Sequence, residues 1–188
     1  MPINGTTIIN ETKQMTLKEV LPEIAITRLL SDLAGSMPYY YSESFVQLTR
    51  VNIAQGGYPK VLDDAWVKYS EERESENDRP AKLLKSNQLW LVLQLSNGGV
   101  ALEDFKVSTV AQAQSIFDQV ALALAVGESR FEFEHRDLHV GNILIKEVEA
   151  DTKINFELRG DKLIYDTKGV QVTIIDFSLS RAVQALFF

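Results

Sequence analysis

At 188 residues, 45% hydrophobic and 24% charged, the chain is long enough for one domain with a real core. Its net charge of −7 argues against broad binding to a phosphate backbone, which calls for a basic face, and suits a positively charged partner such as a basic peptide. Without cysteine there are no disulfides or thiolate zinc sites; no apolar run approaches the ~20 residues of a membrane span, and MPINGTTIIN lacks the basic start and hydrophobic block of a secretory signal.

Residues 1–15 are polar and offer little to a core. Thr16-Leu17-Lys18-Glu19 fits a capping box, in which the Thr16 hydroxyl and the Glu19 carboxylate cover free backbone donors at a helix start. Leu21, Ala25, Leu29 and Leu33 then recur at i, i+4 as an apolar stripe. Pro22 is expected to kink or restart this helix, and Gly35 and Pro38 to end it. Residues 45–53, rich in β-branched and aromatic side chains, predict a strand broken by Gly56-Gly57. Residues 58–74 place Val61, Leu62, Ala65, Trp66 and Tyr69 at the spacing of a helix with one apolar face, and a charged run follows over 71–79. Residues 88–95 predict a strand buried on both faces, and Ser96-Asn97-Gly98-Gly99 a turn or hinge. A long helix is predicted over 109–129, capped by Thr109 and Gln112, with Ile116, Phe117, Val120 and Leu124 turned inward. Alternation at 154–158 and 162–165 around Gly160-Asp161 predicts a surface hairpin.

Two stretches carry the chemistry. The first, FEFEHRDLHVGNILIK over 131–146, holds both histidines of the chain, His135 and His139, with Asp137 and Asn142 ahead of a short apolar strand. The second, VTIIDFSLSR over 172–181, delivers Asp176 at the end of another apolar strand. An acid, an amide and a second acid on loops beside short strands are what magnesium-dependent phosphoryl transfer requires. Asp137 would hydrogen-bond the attacking hydroxyl in line with the leaving group and accept its proton. Asn142 and Asp176 would hold magnesium, a hard cation that keeps several waters and needs few protein groups. Arg136 would neutralise buried acids near the loop, His135 would be a structural hydrogen-bonding residue, and His139 would line the substrate cleft. Zinc on the two histidines is not expected, because zinc wants three or four soft or imidazole ligands.

His135-Arg136-Asp137 with Asn142, and the later Asp176-Phe177-Ser178, resemble the eukaryotic protein-kinase pattern. HRDLHVGN preceded by Phe133-Glu134 goes further: with Leu21-Pro22-Glu23-Ile24, Asn77-Asp78-Arg79-Pro80, Gly98-Gly99 and IIDFSLSR it resembles the haspin family of atypical serine/threonine kinases, in unbroken order from Thr16 to Arg181. Ser178, where kinases usually have glycine, fits that family's habit. The resemblance implies an α+β, protein-kinase-like fold in which residues 1–188 are a single truncated domain. That domain would hold part of the N-lobe, with helix C and hinge strands, and the first part of the C-lobe. Glu23 would be the helix-C glutamate that pairs with the ATP-binding lysine. Leu95 would sit at or beside the gatekeeper, and Ser96, Asn97 and Gly98 would form the adenine hinge. ATP and magnesium are the implied cofactors. The implied substrate is serine or threonine in a basic protein tail, a histone tail of mitotic chromatin, with no direct contact to nucleic acid or membrane. A monomer is expected, nuclear and chromosome-associated or cytoplasmic, and not secreted.

The chain also departs from the family's pattern. No glycine-rich loop precedes Glu23, and Lys13 and Lys18 stand too close to helix C to be the strand lysine. Ala101 stands where the family more often has an acid, with Glu103 nearby but shifted, and little sequence follows Arg181. The expectation is a partial kinase domain with little activity of its own, drawn from a longer active parent. The alternative is a catalytically impaired pseudokinase or fragment acting as a binding module. A small-molecule phosphotransferase shares the acid-amide-acid layout but not the haspin-like flanks.

Overall fold

The computed structural model describes residues 1–35 and 37–183. In chain order its elements are β1 (Pro2–Ile3), β2 (Ile8–Ile9), β3 (Thr12–Lys13), α1 (Leu17–Ser31), β4 (Tyr40–Ser42), β5 (Leu48–Gln55), α2 (Lys60–Arg73) and α3 (Pro80–Leu83). Then follow β6 (Leu89–Leu95), β7 (Val100–Ala101), α4 (Val110–Phe131), β8 (Ile143–Glu147), β9 (Lys153–Leu158), β10 (Asp161–Asp166) and β11 (Val170–Ile174). They group into two compact units, Met1–Leu21 with Arg50–Gln94, and Pro22–Thr49 with the chain from Leu95 onward. Among the described residues no helix is long and apolar enough to cross a membrane.

The first unit is built on the sheet β1-β6-β5, with β1 antiparallel to β6 so that Pro2 faces Trp90 and Ile3 faces Leu89. Ile3 is buried, so the opening segment does feed a core; one β-branched residue on a paired strand is enough to be drawn in. The apolar run of β6 is not buried on both faces as expected: Leu91 is buried while Val92, its neighbour on the opposite face, is exposed. Successive strand residues point to opposite faces, and only one face of β6 is covered. Helix α2 forms where its periodicity predicts, yet it buries none of its residues, and Val61 is 73% exposed.

Helix α1 starts at the expected box: Thr16 N–H donates to Glu19 Oε2 (2.7 Å) and Glu19 N–H to Thr16 Oγ1 (3.3 Å). It runs unbroken through Pro22 rather than kinking or restarting there. Its buried face departs from the expected stripe along the helix and rejoins it at Leu33. Leu21 and Ala25 are exposed, while Val20, Ile26, Thr27 and Leu30 are buried and Leu33 follows in a 3-10 turn. Leucine, isoleucine and alanine occur all round this helix, so spacing alone does not choose the buried side.

In the second unit two antiparallel sheets, β10-β9-β4 and β11-β8-β7, pack against α4. The N-cap of α4 is Thr109, whose Oγ1 accepts from Gln112 N–H at 3.1 Å. Ile116, Ala123, Val126 and Phe131 face the core; Phe117, expected inward, is 71% exposed. Gln119, fully buried, closes the outer edge of β11: its Nε2 donates to Val170 O (2.8 Å) and its Oε1 accepts from Val172 N–H (2.9 Å). The predicted strand from residue 45 begins only at Leu48, because residues 44–46 bond to β11 instead. Ile174 N–H donates to Ser44 O at 2.8 Å and Val46 N–H to Ile174 O at 3.0 Å. The β9–β10 hairpin turns at Arg159-Gly160, with φ of 56° and 94°, and Asp161 is already paired with Leu158. Positive φ at both central residues is the tight turn that matches strand twist, and it favours glycine at the second position. The hairpin is not purely a surface feature, since Ile154 and Phe156 join the core with Phe45, Ile145, Val172 and Phe177.

Candidate active site

The antiparallel ribbon of β8 and β11, with Ile145 opposite Val172, carries the two chemical stretches at one end. One is the loop that leads into β8; the other is the segment that leaves β11. They meet at Ile175. Its N–H donates to Asn142 O (3.0 Å), and its carbonyl accepts from His135 Nε2 (3.0 Å). A second clasp lies further out: Glu134 and Arg181 exchange both backbone bonds at 2.9 Å, and Ser180 Oγ donates to His135 O at 2.9 Å.

Beneath the clasp lies an aromatic cluster. The Phe177 ring meets Phe45, Phe133 and His135 edge-on, with centroids 6.2, 5.9 and 5.6 Å away. His135 is buried, and a ring with its hydrogen on Nε2 satisfies both of its contacts, since Nδ1 accepts from Asp137 N–H at 3.4 Å. It therefore has the structural role expected of it.

Asp137 turns its side chain to solvent, while its carbonyl accepts from Asn142 Nδ2 (3.0 Å) and His139 N–H (3.1 Å). Asn142 is buried, and its bond through Nδ2 leaves Oδ1 as the atom a cation would take. His139 is exposed and folds back on the turn: Nδ1 accepts from Gly141 N–H (3.1 Å) and Nε2 lies 3.2 Å from Asn142 Nδ2. Arg136, at φ 67°, does not reach buried acids as expected. It pairs with exposed Glu134 at 2.9 Å, because a charge this close to solvent finds its partner there without desolvation. The Arg136 bond, helped by Arg181, holds the Glu134 carboxyl below its ordinary value.

Asp176 also sits in the left-handed region, at φ 62°, with its carboxylate exposed. Glu23, half-buried on α1, lies within its field: burial first, and then the Asp176 charge, push the Glu23 carboxyl above its ordinary value. Among the described residues no three histidine, aspartate or glutamate side chains form a metal cage. Asn142 and Asp176 instead offer an amide and a carboxylate oxygen, a hard donor pair that fits magnesium with most of its shell left to phosphates and water.

The expected hinge is pinned to the same ribbon. Leu95 ends β6 partly exposed; Ser96 and Gln47 then bond reciprocally, Ser96 N–H to Gln47 O (2.9 Å) and Gln47 N–H to Ser96 Oγ (3.0 Å). Asn97 Oδ1 accepts from Gly99 N–H at 2.9 Å. Gly98 is buried, and at Gly99 (φ 104°) a Cβ would lie 2.0 Å from Ile145 O, so only glycine lets the hinge reach β8. Sequence reading missed Gln47, Glu134 and Phe177 as supports. Only Phe177 has a signal, as the apolar residue beside Asp176. An apolar cavity of about 650 Å³ in the first unit, beside Tyr58, Leu62 and Trp90, holds none of the expected site residues.

A family model described as Haspin like kinase domain matches residues 4–186. The chain is 42% identical over 181 residues to the serine/threonine-protein kinase haspin homolog of Drosophila melanogaster, covering 96% of this chain and 31% of that protein. It is 42% identical over 181 residues to the serine/threonine-protein kinase haspin of Mus musculus, covering 95% and 24%. With the haspin homolog of Arabidopsis thaliana it shares 35% identity over 183 residues, covering 96% and 30%. The chain thus spans less than a third of the length of these relatives. Its α+β architecture, its clasped loop pair and the family match over nearly its whole length place it in the haspin-like kinase family.

Proposed function

We propose that this chain carries the hinge, catalytic loop and metal loop of a protein kinase that transfers the γ-phosphate of ATP to serine or threonine in a basic protein tail. The observation that carries this reading is the double clasp on Ile175, which fixes the loop of Asp137 and Asn142 against the segment of Asp176. Asp137, exposed to solvent, hydrogen-bonds the substrate hydroxyl and takes its proton as the oxygen attacks phosphorus. Asn142 and Asp176 hold magnesium, which neutralises phosphate charge when bound. Glu23 is the carboxylate available to a phosphate-contacting lysine, and Ser96 to Gly98 offer backbone groups to adenine. His139 lines the cleft beside Asn142. The net charge of −7 supports a cationic substrate such as a histone tail, and with it a nuclear, chromosome-associated site of action for a monomeric enzyme.

The test is transfer of radiolabelled phosphate from ATP to a histone-tail peptide by the full-length protein and by Asp137→Ala. The variant is expected to lose roughly 100-fold or more of the rate, with an unchanged melting temperature. Equal signal from both would overturn the reading. The second reading is a binding module that holds the tail without transfer. Tail binding unaffected by Asp137→Ala, with no transfer by the wild type, would support it.

A further inference from the structure

The third position of the metal loop is Ser178, and its side chain is not idle. Its Oγ lies 2.7 Å from Asp176 Oδ1, and its backbone N–H donates to the same oxygen at 3.2 Å. An ionised carboxylate only accepts, so the hydroxyl is the donor in this pair. Both donors converge on Oδ1 and leave Oδ2 for a cation. The backbone on either side is already fixed, by the bonds to Ile175 and by the buried Phe177 ring. What remains free in Asp176 is the rotation of its own exposed carboxylate, and the Ser178 hydroxyl restrains that rotation. A glycine at 178 would supply the N–H alone.

We propose that Ser178 is a positioning residue for metal binding: its hydroxyl holds the Asp176 carboxylate in the orientation that presents Oδ2 to a divalent cation. This rests on the kinase reading of the site. The hydroxyl itself touches neither metal nor nucleotide. It acts on metal affinity through Asp176, at no cost to contacts that nucleotide makes elsewhere.

The experiment measures binding by the full-length protein, without turnover. Manganese serves as the probe, followed by the loss of its free electron-paramagnetic-resonance signal in the presence of a non-hydrolysable ATP analogue. Calorimetry gives the affinity for the same analogue in chelator. Ser178→Ala is expected to weaken manganese binding roughly three- to tenfold while leaving metal-free nucleotide affinity unchanged. Ser178→Thr, which restores the hydroxyl, is expected to stay within about twofold of wild type. Equal manganese affinity in Ser178→Ala and wild type would overturn the positioning role and leave the kinase reading standing. So would a parallel loss of metal-free nucleotide affinity, since the residue would then support the loop as a whole. No metal-dependent nucleotide binding by the wild type would overturn both the kinase reading and this role.

Discussion

Two loops with distinctive sequences, His135 to Asn142 and Asn77 to Arg79, are held in opposite ways. The first is anchored from beneath. His135 is buried against Phe133 and Phe177, Asn142 is buried beside it, and the bonds to Ile175 run through groups that water reaches poorly. The second is held by polar bonds nearer the surface, exposed between Asn10 and Asp78 and part-buried where Arg79 meets Asp63. Asp78 N–H donates to Asn10 Oδ1 (2.7 Å), Asn10 N–H to Asp78 Oδ2 (2.8 Å), and Arg79 forks onto Asp63 at 2.6 and 2.7 Å. Each is well bonded within its own unit. They differ in what competes: water can replace an exposed bond at little cost, whereas a broken buried bond strands a polar group. Buried anchoring fixes the backbone of the loop closely while leaving the Asp137 and Asp176 side chains exposed at its rim.

If that contrast is right, damage under the first loop is costly and damage to the second is not. The largest effect is expected from Phe177→Ala, which empties the centre of the aromatic cluster; it should cost about 3–5 kcal/mol in urea unfolding and weaken nucleotide binding as well. A loss under 1 kcal/mol, on the order of an exposed substitution, would break the comparison. Next comes Gln119→Leu. It keeps the apolar volume but strands the Val170 carbonyl and the Val172 N–H on β11, at roughly 1–3 kcal/mol by the same measurement.

A smaller effect belongs to Tyr165, whose hydroxyl donates to Asp118 Oδ2 at 2.7 Å. Burial, then Asp118, push it from 10.0 up to about 12. The folded state thus holds this proton more tightly than the unfolded one. The stability it adds is complete below pH 10 and is lost as pH rises through 12. The stability gap between wild type and Tyr165→Phe should therefore shrink across that range, as followed by unfolding midpoints. A constant gap would contradict it. The smallest effect is expected for Asn10→Ala, which cuts the surface tether to Asp78; global stability should stay within about 0.5 kcal/mol of wild type. Faster amide exchange near Asp78, without a change in midpoint, would sharpen the contrast.

Much of the fold was legible in local pattern. The caps at Thr16 and Thr109 sit where the capping rules place them, and α2 and α4 follow their periodicity. Burial was less legible. Leu21 and Phe117 face solvent although each belongs to an apolar stripe, and β6 is covered on one face alone. A stripe announces that some face will be covered without saying which neighbours the chain can bring to cover it. Arg136 illustrates the same limit in the site: its charge is plain in sequence, and its partner Glu134 is decided by how the loop curls.

The sequence by itself determined the proposed chemical set of Asp137, Asn142 and Asp176, their order, the glycines of the proposed hinge and the family to which the chain belongs. These depend on residue type and short spacing, which survive in one dimension. Only the tertiary structure decided how the set is assembled. His135 meets Ile175 across 40 residues, Gln47 meets Ser96 across 49, and Gln119 meets Val172 across 53. No local rule pairs such partners, because each bond exists only after strands and helices have packed and carried distant backbone groups within reach. The bond from Ser178 to Asp176 is short in sequence, yet the role proposed for it depends on the Ile175 clasp that fixes the backbone on which both residues sit.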